Sequence, residues 1–530
     1  MKQKKLNLLI IAILVLFVFY PVLLMLINVK WNTFGTLITS KAFKEALFNS
    51  LFVTIIATII SVIVAYIFSY TLNRTNIKHR AILKVLITIP MLIPSISHGL
   101  GLINLFGKNG IITEFFSFDI IGPVGIIIGS VIYSFPVAFL IIDDGYSYIN
   151  NSMYDGAKVL GLNKLQTFFK VTFCYLKKPI LSATFAVFTM IFTDYGVPLA
   201  LGGNYITMPV FLYKEVIGLL DYSKGTIIGL FLLVPAFISF IFDTFSKDYS
   251  SNEFTNKEYR ISENKIRDIV FKVITYLILI FIFVLIGSFV YYAFLDDFIL
   301  NKTFSLTHFE YVFKGNIGKY IFNSVFIALS VSIIGTIIAF ASAYITARVK
   351  GKSSRVVHIL SIASLSIPGI VLGLAYSIGF KNTFIYNTYI ILIIVNIVHF
   401  MASPYLMAYN ALQKVNPNYE VVAKTCNISI FKMIIKVILP CTKKTILEMA
   451  SYFFVNSMIT ISAVTFLFNT NTMPLSLLIN QYEGSMMLEE AGIVSLIILI
   501  INLIVKASVY IINRHNYNKE VRRIENEVEL

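Results

Sequence analysis

Charge is what this sequence has least of. Asp, Glu, Lys and Arg make up 13% of its 530 residues, where soluble domains carry about 25%. That scarcity excludes a soluble enzyme or binding module over most of the chain. No segment combines globular length with ordinary polarity, so no sizeable soluble domain is expected. Cysteine is nearly absent too. Cys174, Cys426 and Cys441 lack metal-ligand spacing. They fall in segments placed in the reducing cytoplasm, and are expected to be inert thiols. Acidic residues are outnumbered, 27 against 43 basic ones, for a net charge of +16. The Lys and Arg residues gather in alternate loops, the positive-inside pattern, so the excess sets orientation and needs no nucleic-acid partner. A phosphate-binding loop is also missing. The nearest approach is Gly351-Lys352-Ser353, and Thr346 stands where a Walker A loop needs its first glycine. The chain is therefore expected to bind no cofactor of its own.

Apolar residues are what the sequence has instead: 57% of the chain. They fall in runs near 6–28, 48–72, 82–106, 122–142, 179–199, 225–245, 267–294, 322–347, 356–380, 387–411, 446–468 and 488–513. A hydrocarbon core of about 30 Å needs roughly 20 apolar residues per helix. The expectation is an all-α polytopic membrane protein. The opening run is too long for a signal peptide and lacks a small-residue cleavage site, so it reads as the first span. Both termini are expected in the cytoplasm. The polar stretch 246–266 reads as a cytoplasmic linker between two six-span halves, 1–245 and 267–513, and 514–530 as a cytoplasmic tail.

The halves repeat. Asn49, Ser50, Tyr70 and Arg74 recur as Asn323, Ser324, Tyr344 and Arg348, each 274 residues on. Ile93-Pro94 and Gly99-Leu100 recur at the same offset as Ile367-Pro368 and Gly373-Leu374. Six spans is an even number, so the halves share one orientation and a pseudo-twofold along the membrane normal. Proline in a span frees a backbone group that lipid cannot satisfy. Pro94 and Pro368 are thus candidates for kinked, pathway-facing helices, alongside a purely structural reading.

Two polar excursions, 149–178 and 415–444, interrupt the pattern. Asn150 or Asn151 opens the first and Gly161 closes it; Asn416 and Pro417 open the second and Asn427 closes it. These are cap signals for helices of about ten residues, too short to cross a bilayer. A short helix outside the membrane, once per half, has the form of a handle for a mobile partner. Gly156, Ala157 and Ala423 would let it sit close to that partner. The plain alternative is a helix resting on lipid headgroups.

These stretches resemble the EAA loop of type I ABC importer permeases, a Glu-Ala-Ala triplet with Gly four residues on and a trailing Pro. The first copy reads Asp155-Gly156-Ala157 then Gly161, preceded by Tyr154. The second reads Val421-Val422-Ala423 then Asn427, with Glu420 ahead and Pro440 trailing. The copies depart from the pattern at Asp155, Val421, Asn427 and Cys174. The resemblance implies that each loop grips one ATPase subunit, giving two copies of that subunit, which carry ATP and Mg. It also implies an extracytoplasmic solute-binding protein and two fused permease halves.

The fifth and eleventh spans leave the two excursions directly, which makes Asp194, Thr460 and Ser462 pathway candidates. Asp194 could equally be an exposed outer residue, and the hydroxyls could serve helix packing. The segments "TDYGVPLALGGNY" and "MITISAVTFLF" are similar to fused permeases assigned to 2-aminoethylphosphonate import; iron(III) permeases are the alternative. On that resemblance, Asp194 would meet the solute's ammonium. A secondary carrier with two six-span halves is the alternative of another class, though its usual intramembrane carboxylates are scarce here. A membrane scaffold or sensor would not need duplicated loops.

Overall fold

The computed structural model describes residues 2–113, 119–147, 149–246, 259, 261, 264–297, 301–349 and 351–528. Most of the expected linker 246–266 lies outside the described residues. Among the described residues, apart from a short hairpin, Leu295–Asp297 with Asn301–Phe304, the regular structure is helical.

Among the described residues, eight helices are long and apolar enough to cross a membrane: Asn7–Ile27, Lys41–Arg74, Pro123–Tyr146, Lys164–Thr193, Tyr222–Ser239, Lys265–Ala293, Ile317–Arg348 and Leu488–Asn516. Three further expected spans are present as bent pairs. The run expected at 446–468 forms Lys443–Ile459, 17 residues and about 25 Å long.

The third and ninth spans were expected to kink. They break instead, by 96° and 110°. The reason is local. The residue before a proline is pushed to extended backbone, and both Ile93 (φ −119°, ψ 151°) and Ile367 (φ −112°, ψ 108°) adopt it. Pro94 and Pro368 then open new helices, Ser95–Phe106 and Gly369–Gly379. A bend of 54° at Met401 interrupts the tenth span between Tyr389–Phe400 and Ala402–Lys414.

The second span of each half is a long helix with its small residues turned inward. In Lys41–Arg74, Ser50, Thr54, Ala57, Thr58, Ser61, Ala65 and Ser69 are buried, while Ile55, Ile59 and Ile63 are exposed. Small residues let backbones approach closely where lipid supplies no hydrophobic drive. Ser61 and Ser134 accordingly share a hydrogen bond of 2.9 Å with the helix Pro123–Ser147. Ile317–Arg348 repeats the arrangement, with the Phe453 ring packed on Gly335.

Packing divides the chain into two compact units. One is Met1–Val29, Val312–Gln481 and Val494–Leu530; the other is Lys30–Tyr311 and Tyr482–Ile493. The first span of each sequence half thus packs with the other half's spans. The Tyr376 hydroxyl donates to the Phe17 carbonyl at 2.5 Å, and Pro21 packs on Gly379. In the other unit, Tyr292 donates to the Asn104 carbonyl at 2.7 Å and Leu285 packs on Gly101.

Candidate functional site

The two excursions fold as their caps predict. The first short helix is Asn151–Val159 and the second is Asn418–Thr425. Asn150 Oδ1 accepts the Ser152 N–H at 3.2 Å, and Asn416 Oδ1 accepts the Asn418 N–H at 2.9 Å. Pro417 sits at the cap, one place before its expected first helical position. Gly161 (φ 68°) and Asn427 (φ 54°) take the left-handed conformation. Each turns the chain so that the next N–H reaches back to an alanine carbonyl: Leu162 to Ala157 at 3.0 Å, Ile428 to Ala423 at 2.8 Å. This is the six-to-one bond of a Schellman ending. Ala157 and Ala423 are 266 apart, so the two ends match residue for residue.

The exposed faces mix apolar with polar side chains, among them Asp155, Lys158, Asn418 and Lys424, and large apolar groups stand out in and just beyond the helices. Val159 is 87% exposed, Leu160 77%, Val421 60% and Phe431 74%. Gly156 has open space around it. Ala157 and Ala423 were expected to face a partner; both are buried against their own chain instead, because the helix turns them toward the spans. Asp155 is exposed and accepts from Asn151 Nδ2 at 2.9 Å.

Each short helix is held by an arginine at the end of a second span. Arg348 Nε donates to Glu420 Oε1 at 2.6 Å and Nη2 to Glu420 Oε2 at 2.5 Å. The Arg74 Nη2 donates to the Tyr154 hydroxyl at 3.0 Å. That hydroxyl also bonds Thr172 Oγ1 at 2.8 Å. Tyr154 and Glu420 are again 266 apart.

The pathway candidates lie where helices are interrupted. Asp194 ends the helix Cys174–Thr193. Its carboxylate accepts the Val197 N–H at 3.0 Å and bonds the Ser95 hydroxyl. It therefore caps the following short helix, Gly196–Leu201, and links it to the break at Pro94. The expected run 179–199 is cut there, and the Asp-before-helix signal lay hidden inside it. Asp194 also lies beside Thr54, Ser130 and Thr207. The hydroxyls of those three are buried and find no hydrogen-bond partner among the described residues.

In the other unit, Thr460 ends the helix Lys443–Ile459, and its carbonyl accepts the Ser476 hydroxyl at 2.6 Å. Ser462 packs on Gly369, the residue after Pro368, together with His399. His399 was not anticipated; its Nδ1 is buried and finds no partner among the described residues, one residue from the first segment's end. A histidine in an apolar run was the available signal.

The repeated Asn-Ser pairs have a clear task. Ser50 Oγ accepts the Met208 N–H at 2.7 Å, and Ser324 Oγ accepts the Leu475 N–H at 2.6 Å. Met208 and Leu475 are the first residues of the helices Met208–Tyr213 and Leu475–Gly484. Asn49 donates to the Ile206 carbonyl at 3.0 Å, and Asn323 to the Met473 carbonyl at 3.0 Å. Each pair satisfies backbone groups of an irregular segment that lipid could not.

A family model described as binding-protein-dependent transport system inner membrane component matches the chain twice, at residues 69–247 and 339–516. The chain is 24% identical over 422 residues to the ferric transport system permease protein FbpB of Actinobacillus pleuropneumoniae, covering 76% of this chain and 61% of that one. It is 24% identical over 408 residues to a protein named FbpB 1 in Haemophilus influenzae, covering 73% and 65%. A 172-residue stretch is 26% identical to the "Probable sulfate transport system permease protein cysT" of Helicosporidium, covering 31% and 64%. The chain thus spans less than two thirds of the length of these curated relatives.

Proposed function

From the premise that this chain belongs to the family of binding-protein-dependent transport system inner membrane components, matched in both halves, we propose that it is the solute-conducting permease of an ATP-driven importer. The observation that carries this reading is the matched pair of short helices. Each is rigidly capped at both ends, exposes apolar side chains, and is tied to a long span by a buried arginine. Exposed Val159, Leu160, Val421 and Val422 among polar neighbours suit a protein partner. Two ATPase subunits, binding ATP and Mg, are the partners proposed, with an external solute-binding protein delivering the solute. The exposed residues Asp155, Gly156, Val421 and Asn427 belong to the contact. Tyr154, Gly161, Glu420 and the buried Ala157 and Ala423 shape it from within.

Solute is proposed to pass the interruptions at Pro94, Asp194, Pro368, Thr460 and Ser462. The hydroxyls of Thr54, Ser130 and Thr207 beside Asp194, which find no partner among the described residues, are suited to a polar solute once the helices part. Two solutes have support. The segment from Thr193 to Tyr205 favours 2-aminoethylphosphonate, and the relatives named for ferric transport favour iron(III). Uptake by the reconstituted complex, comparing labelled aminoethylphosphonate, phosphate, ferric ion and polyamines, separates them.

The docking reading is tested by co-expression with a candidate ATPase subunit. Wild type retains the subunit through purification, and V159D/L160D with V421D releases it. Retention by that variant, or ATP hydrolysis by the chain alone, overturns the reading.

A further inference from the structure

We propose that Arg74 and Arg348 are the pins through which the two short helices move the second spans, and that the pins differ in kind. This deepens the reading of those helices as ATPase contacts and rests on it. Both arginines are the last residues of long spans, 274 residues apart, and both are buried despite their charge. Buried charge is costly unless bonded, so whatever meets each guanidinium fixes the span's end.

In the second half the contact is a fork. Arg348 bonds both Glu420 oxygens, at 2.5 and 2.6 Å. It also donates to the carbonyls of Val415 at 2.6 Å and Asn416 at 2.9 Å, in the turn that starts the short helix. A bidentate guanidinium–carboxylate pair fixes direction as well as distance. Motion of the second helix must therefore carry Arg348 with it.

In the first half Tyr154 stands in the slot that Glu420 fills in the second, and among the described residues no carboxylate bonds Arg74. Arg74 instead lies among aromatic rings. Its guanidinium carbon is 3.7 Å from the Tyr259 ring centre, 4.9 Å from Tyr146 and 5.3 Å from Tyr154. Cation–π attraction holds a guanidinium over a ring without fixing its direction in the ring plane. This pin holds with slack. Tyr259, which supplies the nearest ring, belongs to the segment joining the two repeats, and its own ring meets Tyr154 edge-on at 4.8 Å. The joining segment thus contributes a working contact to the first pin.

The test uses the reconstituted transporter with its ATPase subunits and binding protein, and reads solute imported per ATP hydrolysed. E420A is expected to lower that ratio by roughly threefold or more, since it strands a buried charge, while the ATPase subunits still copurify. E420Y is expected to recover most of the loss, because tyrosine is the first half's own solution to the same slot. Y259L, which leaves the Arg348 fork untouched, is expected to lower the ratio by about twofold through the first pin. An unchanged ratio in E420A and Y259L, or E420Y no better than E420A, overturns the proposal. If E420A does not fold, Y259L decides it alone. Loss of the ATPase subunits from wild type overturns the docking reading instead.

Discussion

The Ser462 hydroxyl lies 2.5 Å from the point that a Cβ on Gly369 would occupy. The first half holds the same contact with the residues exchanged: Ser95 follows Pro94, and its hydroxyl crowds Gly196. One partner is serine and the other glycine in both halves, so the space admits one side chain. G369S is expected to destabilise the protein by about 1–3 kcal/mol through overpacking. The double variant G369S/S462G, which copies the first half, is expected to recover most of that. Thermal unfolding of the purified protein checks both.

The Asn-Ser pairs give a second expectation. S50A and S324A each leave a buried N–H, of Met208 or Leu475, without its acceptor. Each is expected to cost about 1–3 kcal/mol. Hydrogen exchange at Met208–Tyr213 and Leu475–Gly484 should rise locally in the matching variant, with the other helix unchanged.

The helix endings differ in a way that substitution reveals. Gly161 and Asn427 share the left-handed conformation, which costs an ordinary L-residue about 1–2 kcal/mol. G161A is expected to fray the first short helix, seen as lost exchange protection over Asn151–Val159. N427G is expected to leave the second short helix at least as protected as before, since glycine carries no such cost.

A pH effect is expected at His308, in the helix Thr307–Lys314. Its Nδ1 lies 2.9 Å from Glu490 Oε1, and its Nε2 lies 3.1 Å from the Asp296 carbonyl oxygen. Burial lowers the ring's proton affinity, but Glu490, with Glu489 nearby, outweighs it and holds His308 above the ordinary value of 6.5. A raised folded value means the protonated pair stabilises fully below about pH 6.5. That stabilisation fades as pH rises through the folded value. Melting temperature should therefore fall across this window in wild type, and H308Q should flatten that part of the profile.

Much of this architecture was legible because it is local. The caps of both short helices, their left-handed endings and the repeated Asn-Ser and Ile-Pro positions are each read within a few residues. The breaks at Pro94 and Pro368 were legible as interruptions, but not as turns near a right angle. Their size depends on Ile93 and Ile367 being forced extended and on what packs beyond. The exchange of first spans between compact units was not legible, since Phe17–Tyr376 and Asn104–Tyr292 join residues far apart in sequence. The Arg74–Tyr154 and Arg348–Glu420 contacts were hidden for the same reason, and because unlike residues fill one slot. Asp194 was singled out for its charge, yet its bonds to Val197 and Ser95 make it a cap of the helix that follows.

The central claim is that a pore without its own motor is driven through its two short helices by ATPase subunits. It is tested most directly by solute uptake into vesicles holding the chain, its ATPase subunits and the binding protein. The account predicts uptake that requires ATP inside the vesicle compartment reached by those subunits, stops with vanadate, and ignores a proton gradient. Uptake by the chain alone under a proton gradient, unaffected by vanadate, would contradict it.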